Sequence, residues 1–512
     1  MKNYKYIGLF LLSLGVISCD VNNDLDPILE EAAPVVQLNT NGLDFSSYVS
    51  IGASFTAGFT DNALFIKGQE NSFPNILAGK FSTDFSQPLM NDNIGGLLFG
   101  GNVIQGPRLY FNGAGPTPLQ ATPTTEVTNS VSGNLNNFGI PGAKSFHFVA
   151  EGYGNVQGVP LGLANPYFAR MASSSNATVL GDAMAQNPTF FTLSEIGGND
   201  VLGYALSGGS GVDQTGNLNP ATYGSSDITD PNVFASVFSN MVTALTSGGA
   251  KGVIANVPYI TNLAHFITVP YNPVPLDSGT AAQLNSQLLG PVIQILTALG
   301  QPDRIALLEA SSSNKLLLRD ENLVDFSAQI SGALQQAGVP AAQAQLMGSL
   351  YGQARHATSA DLFVLPLSSA IGTAQPGIPA PFNTVGVTYP LEDKWAITPE
   401  EQLAIKTATD AYNTTIAAVA SANPNVALVD FKGLLEQSAS GIAFDQYTLT
   451  TSLVTGGLIS LDGVHLTGRG YALMANKIMA AMDTKFGSNF TTATNGLAKA
   501  DDHPTNYSPA LR

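Results

Sequence analysis

The chain holds one cysteine, one tryptophan and five histidines in 512 residues. With Cys19 as the sole cysteine, no intrachain disulfide can form. Charge is scarce, at 11% of residues against about 25% in an average soluble protein. Positive charge is scarcest: 20 Lys+Arg face 37 Asp+Glu, a net charge of −17. That balance excludes a general basic surface, so no nucleic-acid partner is expected. No segment has the ~18 uninterrupted apolar residues of a membrane-spanning helix. No pair among His147, His265, His356, His465 and His503 has the spacing of a helical zinc site, and no P-loop is present. Neither a metal nor a nucleotide cofactor is therefore expected.

Apolar residues are plentiful, at 44%, enough for a sizeable core. Short apolar runs end in turn residues, as buried parallel strands do. Tyr48–Ile51 leads into Gly52-Ala53-Ser54-Phe55, and Thr189–Leu193 into Gly197-Gly198-Asn199-Asp200. Val253–Val257 stops at Pro258, and Val426–Val429 ends at Asp430. Helical patterns lie between them, over 232–246, 281–299, 399–420 and 467–486. Thr398-Pro399-Glu400-Glu401 reads as a helix start. The alternation predicts an α/β protein. Residues 60–135 and 258–395 break the alternation and read as insertions in one domain over 44–487.

At the N-terminus, Lys2 and Lys5 precede an apolar run over 7–17 that is too short to span a bilayer. It ends in Val16-Ile17-Ser18-Cys19, which resembles a bacterial lipobox. The resemblance implies a signal peptide over 1–18 and a lipid anchor on Cys19, placing the protein at the cell envelope on the outer membrane. Residues 19–43, with Asp20, Asp24, Asp26, Glu30 and Glu31, read as a flexible acidic tether, similar to the surface-export signal of Bacteroidetes lipoproteins. The polar tail over 488–512 is expected to fray.

Few residues can carry chemistry. A serine-nucleophile mechanism needs an exposed serine, a base and an orienting acid. Ser54 lies on a strand-to-helix turn, and Asp462 stands three residues before His465, so one loop can bring carboxylate and imidazole together. Gly142 can expose a backbone N–H, with Gly139 as the competitor, and Asn199 can supply an amide donor. Asn199-Asp200 also reads as a helix cap. His265 and His356 read as structural or substrate-facing, and Trp395 as packing.

Four segments, Ile51–Gly58, Asn137–Gly142, Gly197–Asp200 and Asp462–His465, resemble the blocks of the SGNH (GDSL-type) hydrolase family, in the family's order. One departure is clear: Ala53 and Phe55 flank the serine where the namesake motif has Asp and Leu. The resemblance implies a flavodoxin-like α/β/α sandwich with a mainly parallel sheet of about five strands and long insertions. It implies Ser54 as nucleophile, His465 as base and Asp462 as its partner. The oxyanion would be held by the N–H groups of Ser54 and Gly142 and the Asn199 amide, with no cofactor. The apolar insertions, at 94–99 and 258–275, point to lipid or other apolar acyl esters as substrate. A carbohydrate O-acetylesterase is the alternative, and an inactive surface-binding lipoprotein is a further one. Hydrolysis needs neutral His465, so activity is expected to rise through the neutral range.

Overall fold

Five short runs of buried residues build the sheet: β1 (Tyr48–Gly52), β2 (Asn137–Gly139), β3 (Phe190–Ser194), β4 (Lys251–Ala255) and β5 (Val426–Val429). The computed structural model describes residues 34–512; the signal segment, Cys19 and the tether up to residue 33 lie outside the described residues. The sheet order is β5-β4-β3-β1-β2, and every pair is parallel. β1 and β3 are buried at every position, which is why they read as continuous runs rather than as alternation. The chain winds from β1 to one side and resumes with β3 on the other. This reversal opens a crevice at the carboxyl ends of β1 and β3, where doubly wound sheets bind ligands.

Helices cover both faces, making three layers. On one face α4 (Pro231–Thr246) packs against α5 (Pro399–Ala422). On the other, α7 (Gly468–Phe486) packs against α2 (Phe73–Phe81). α5 starts as its sequence dictates, with Thr398 and Glu401 closing a reciprocal capping box and Pro399 in the first turn. Thr467 caps α7 through the N–H of Gly470. Three shorter helices line the strand ends: α1 (Ser54–Ala57), α3 (Asn199–Leu206) and α6 (Phe431–Ser438).

Four findings differ from the sequence reading. β2 is a strand that the sequence reading did not name; the sheet's fifth position is held by only three residues. Asn199 is the first residue of α3, not its cap, which is Gly198. The helix over 281–299 is interrupted by a π-turn at Asn285–Leu289, ahead of Pro291, whose ring cannot fit a regular i−4 carbonyl. The tail over 488–512 does not fray. Phe490, Ala498, Ala500 and Tyr507 are buried, and Tyr507 packs edge-on to Phe65 at 4.9 Å. The buried guanidinium of Arg108 donates to the carbonyls of Ser508 (2.7 Å) and Leu511 (3.1 Å). Polar side chains hid these anchors, because the tail is held by its backbone and a few apolar residues.

Candidate active site

Register delivers the site. Gly52 pairs with both Gly139 and Ser194, so β1, β2 and β3 end level with one another. Ser54 therefore emerges beside Glu195 and the Ile140–Ser145 loop. The chain turns at Ala53 (φ −97°, ψ −130°) and Ser54 begins α1. Ser54 is 8% exposed, and its hydroxyl makes no hydrogen bond to any described residue.

Glu195 lies under that turn. Its Oε1 accepts the Thr56 N–H at 2.8 Å and its Oε2 the Thr56 hydroxyl at 3.2 Å. Its φ of +46° is a left-handed conformation that only well-supported non-glycine residues keep. Burial pushes its carboxyl up, and bonds from Thr56 and the Ala53 backbone offset part of the shift. Where Ala53 leaves the turn without a carboxylate of its own, Glu195 supplies one from the neighbouring strand end. The sequence reading missed it; the available signal was a lone acid closing an otherwise uncharged strand.

The loop ahead of α7 brings the expected pair together. Asp462 Oδ2 lies 2.9 Å from His465 Nδ1 and also accepts the Asn62 N–H at 2.8 Å. Its Oδ1 accepts the N–H groups of Val464 (2.8 Å) and His465 (2.9 Å). Burial pushes the Asp462 carboxyl up, but the imidazole and these donors outweigh it, and the group stays well below the usual carboxylate range. A carboxylate at Nδ1 fixes the tautomer in which Nε2 keeps its lone pair. The imidazole packs between Phe55 and Phe59, with ring centroids at 5.7 and 4.6 Å. His265 props the loop from behind: its N–H donates to the Gly463 carbonyl at 2.9 Å, and its Nδ1 to the Asp462 carbonyl at 3.1 Å. Burial lowers the His265 pKa.

Of the two glycines proposed as donors, the geometry separates the roles. The Gly139 N–H is bonded to Asn137 Oδ1 at 2.9 Å, and a Cβ there would lie 2.2 Å from the Ala57 nitrogen. Gly139 is a packing glycine. Gly142 is exposed, has φ +79° with open space at its Cβ position, and its N–H donates to no described residue. Its loop is tied down on three sides. Asn165 donates to the Pro141 carbonyl at 2.8 Å and Asn199 Nδ2 to the Ala143 carbonyl at 3.0 Å. The buried Asp200 carboxylate accepts the Ser145 N–H (2.9 Å) and hydroxyl (2.7 Å). Asn199 thus holds the loop with one amide hydrogen and keeps the other.

Ser54, Asn199, Val464 and Leu466 line one cavity of about 100 Å³, which brings the serine to the loop that carries His465. Its remaining walls are mainly apolar, including Val257, Ile260, Leu263, Leu435 and Met474. The 94–99 segment, expected to face substrate, does not line it. Leu97 is buried in a separate cluster with Phe59, Leu64 and Val127, and Phe266 and Val269 are core residues. The other histidines serve structure. His147 Nδ1 accepts the Lys144 N–H at 3.0 Å and His356 Nδ1 that of Ala306 at 3.1 Å, and burial pushes both down to about 4. His503 bonds Asn71 at 2.9 Å.

The arrangement offers an unpaired serine hydroxyl at a cavity, an oriented imidazole on a loop that lines the same cavity, and a Gly142 N–H with no acceptor among the described residues. No family model, curated protein or solved structure matches the chain.

Proposed function

We propose that the protein is a serine hydrolase of carboxylic acyl esters, related to the SGNH (GDSL-type) family that its four segments resemble. The observation that carries this reading is the Asp462–His465 contact at 2.9 Å on a loop that meets Ser54 at one cavity. Ser54 attacks the ester carbonyl while His465 Nε2 takes its proton, and the imidazolium is held by Asp462. The oxyanion is stabilised by the N–H groups of Ser54 and Gly142 and by the second Asn199 amide hydrogen. His465 then returns the proton to the leaving alcohol, and water releases the acyl group from Ser54 by the same route. The residues acting here require no cofactor.

The apolar cavity beside Ser54 favours an apolar acyl group over acetate. A fluorophosphonate probe is expected to label Ser54 and to leave Ser54→Ala unlabelled; a wild-type protein that resists the probe sinks the hydrolase reading. In a p-nitrophenyl ester series from acetate to palmitate, activity should peak beyond acetate. A sharp optimum at acetate would favour the carbohydrate O-acetylesterase instead.

We further propose a lipid anchor on Cys19 at the outer membrane, a reading that rests on the lipobox resemblance alone. No helix among the described residues is long and apolar enough to cross a membrane. Metabolic labelling with a palmitate analogue, lost in Cys19→Ala, checks the anchor.

A further inference from the structure

Away from the Ser54 cavity, three carboxylates converge where the second insertion meets α5. Glu321 follows the short strand Leu317–Arg319, Asp393 opens the turn Asp393–Trp395, and Glu401 sits in the first turn of α5. One oxygen of each lies within 4.8 Å of the others.

Glu401 is the informative member. It is 5% exposed. Its Oε2 accepts the Thr398 N–H at 2.6 Å and the Thr398 hydroxyl at 3.0 Å, which completes the helix cap. Capping leaves Oε1 buried without any hydrogen-bond partner among the described residues. Oε1 presses against Gly209 so closely that a Cβ there would lie 1.9 Å from it. Gly209, Gly211, Glu321 and Asp393 line a cavity of about 480 Å³. A buried carboxylate oxygen with no donor is costly and rare, and a bound ion is one of its ordinary explanations. Protein cations balance the cluster only in part. Arg319 acts on Asp393 but also bonds Gln353 at 3.2 Å, and Lys394 pairs with Glu392 at 2.6 Å.

We propose that Glu321, Asp393 and Glu401 bind a calcium ion that pins the second insertion to the start of α5. The donor set is all oxygen, which selects a hard cation. Calcium holds its ligands at about 2.3–2.6 Å, so two of them can stand up to about 5 Å apart, which accommodates the observed spread. Magnesium is usually held by one or two carboxylates and keeps several waters, so a set of three protein carboxylates suits calcium better. Water fills the remaining positions from the open cavity. The ion gives Glu401 Oε1 the partner that the helix cap does not.

Trp395, the chain's one tryptophan, closes the same turn as Asp393 and provides the probe. The full chain, stripped with a chelator, is titrated with Tb³⁺, and the terbium emission sensitised by Trp395 is read. We expect saturable emission that Ca²⁺ displaces at about millimolar concentration, the range of weak extracellular sites. Asp393→Asn and Glu321→Gln should each weaken Tb³⁺ binding by about tenfold or more. Ca²⁺ should also raise the wild-type thermal midpoint and raise that of the variants less. Glu321 is exposed, so Glu321→Gln keeps the test open if Asp393→Asn fails to fold. Wild-type protein without saturable emission, Tb³⁺ affinity unchanged in Glu321→Gln, or a thermal midpoint indifferent to Ca²⁺ would each overturn the site.

Discussion

Asp61 and Asp462 lie on two segments that clasp one another, yet their surroundings treat them in opposite ways. Asp462 receives three backbone N–H groups and an imidazole, and its carboxyl is held low. Asp61, the more deeply buried, accepts the Leu461 N–H at 3.1 Å through Oδ1, while its Oδ2 has no partner among the described residues. Burial, aided by repulsion from Asp462, pushes Asp61 up to about 7 against the pull of Arg108. The difference teaches that depth and the count of donors act together in deciding which buried acid stays charged. It also gives the two groups opposite effects on stability. The lowered Asp462 contributes stability that is present above the unfolded carboxylate range and is lost as pH falls. The raised Asp61 binds a proton in the folded state that the unfolded chain has released. It therefore costs stability as pH rises from about 4 to about 7, and the cost is constant above that.

The sharpest way to break this contrast is Asp462→Asn. It keeps the shape but disturbs the imidazole tautomer, and turnover should fall by up to about 10⁴-fold with little change in KM. Unchanged turnover with a pH profile superimposable on wild type would remove Asp462 from the site. Gly142→Ala comes next. A Cβ meets open space, but φ +79° is strained for alanine by about 1–2 kcal/mol, so the loop should shift its N–H and lower kcat by about 10²-fold while circular dichroism stays native. Glu195→Gln tests a third buried acid, one that works by accepting bonds. Its amide oxygen should still accept the Thr56 N–H, but its NH2 cannot accept the Thr56 hydroxyl, lowering kcat by about tenfold, with Glu195→Ala lower still. The smallest effect on activity belongs to Asp61→Asn, which should leave kcat near wild type. Between pH 5 and pH 8 the stability of the variant should fall by about 3 kcal/mol less than that of wild type, the remaining decline belonging to Glu401 and Asp393, which burial also pushes up, to about 7 and about 6. An identical pH slope in both proteins would show that Asp61 is not the group responsible.

The parts of the molecule that could be read from the sequence are those where local pattern and tertiary role agree. β1 and β3 announce themselves because buried parallel strands are apolar on both faces, and each ends in the turn that presents Ser54 or Asn199. Asp462 and His465 are three residues apart, so their contact is nearly a local property. β2 is too short and too polar to show a pattern, and its strand character comes from pairing with β1. Glu195 and Asp61 meet their partners across 139 and 400 residues of chain, a separation that no window along the sequence spans. The Glu321, Asp393 and Glu401 cluster is equally invisible, since three separate segments must fold before it exists. The apolar stretch at 94–99 misled for a related reason: hydrophobicity marks burial, and Leu97 is buried in the core rather than at the cavity.

Arg108 imposes an order on biosynthesis. Its Nη2 finds its carbonyl acceptors at Ser508 and Leu511, about 400 residues later in the chain. At about 5–20 residues per second, a ribosome needs on the order of 20–80 s to supply them. During that interval the Asn93 carbonyl can hold Nε at 2.8 Å, but Nη2 must stay in water, because burying it without acceptors is too costly. The first insertion therefore closes after β1 to β5 have been made, and the final latch is set when synthesis of this region is complete. A nascent chain halted before Tyr507 would carry Ser54 and His465 on a sheet whose outer insertion is still open.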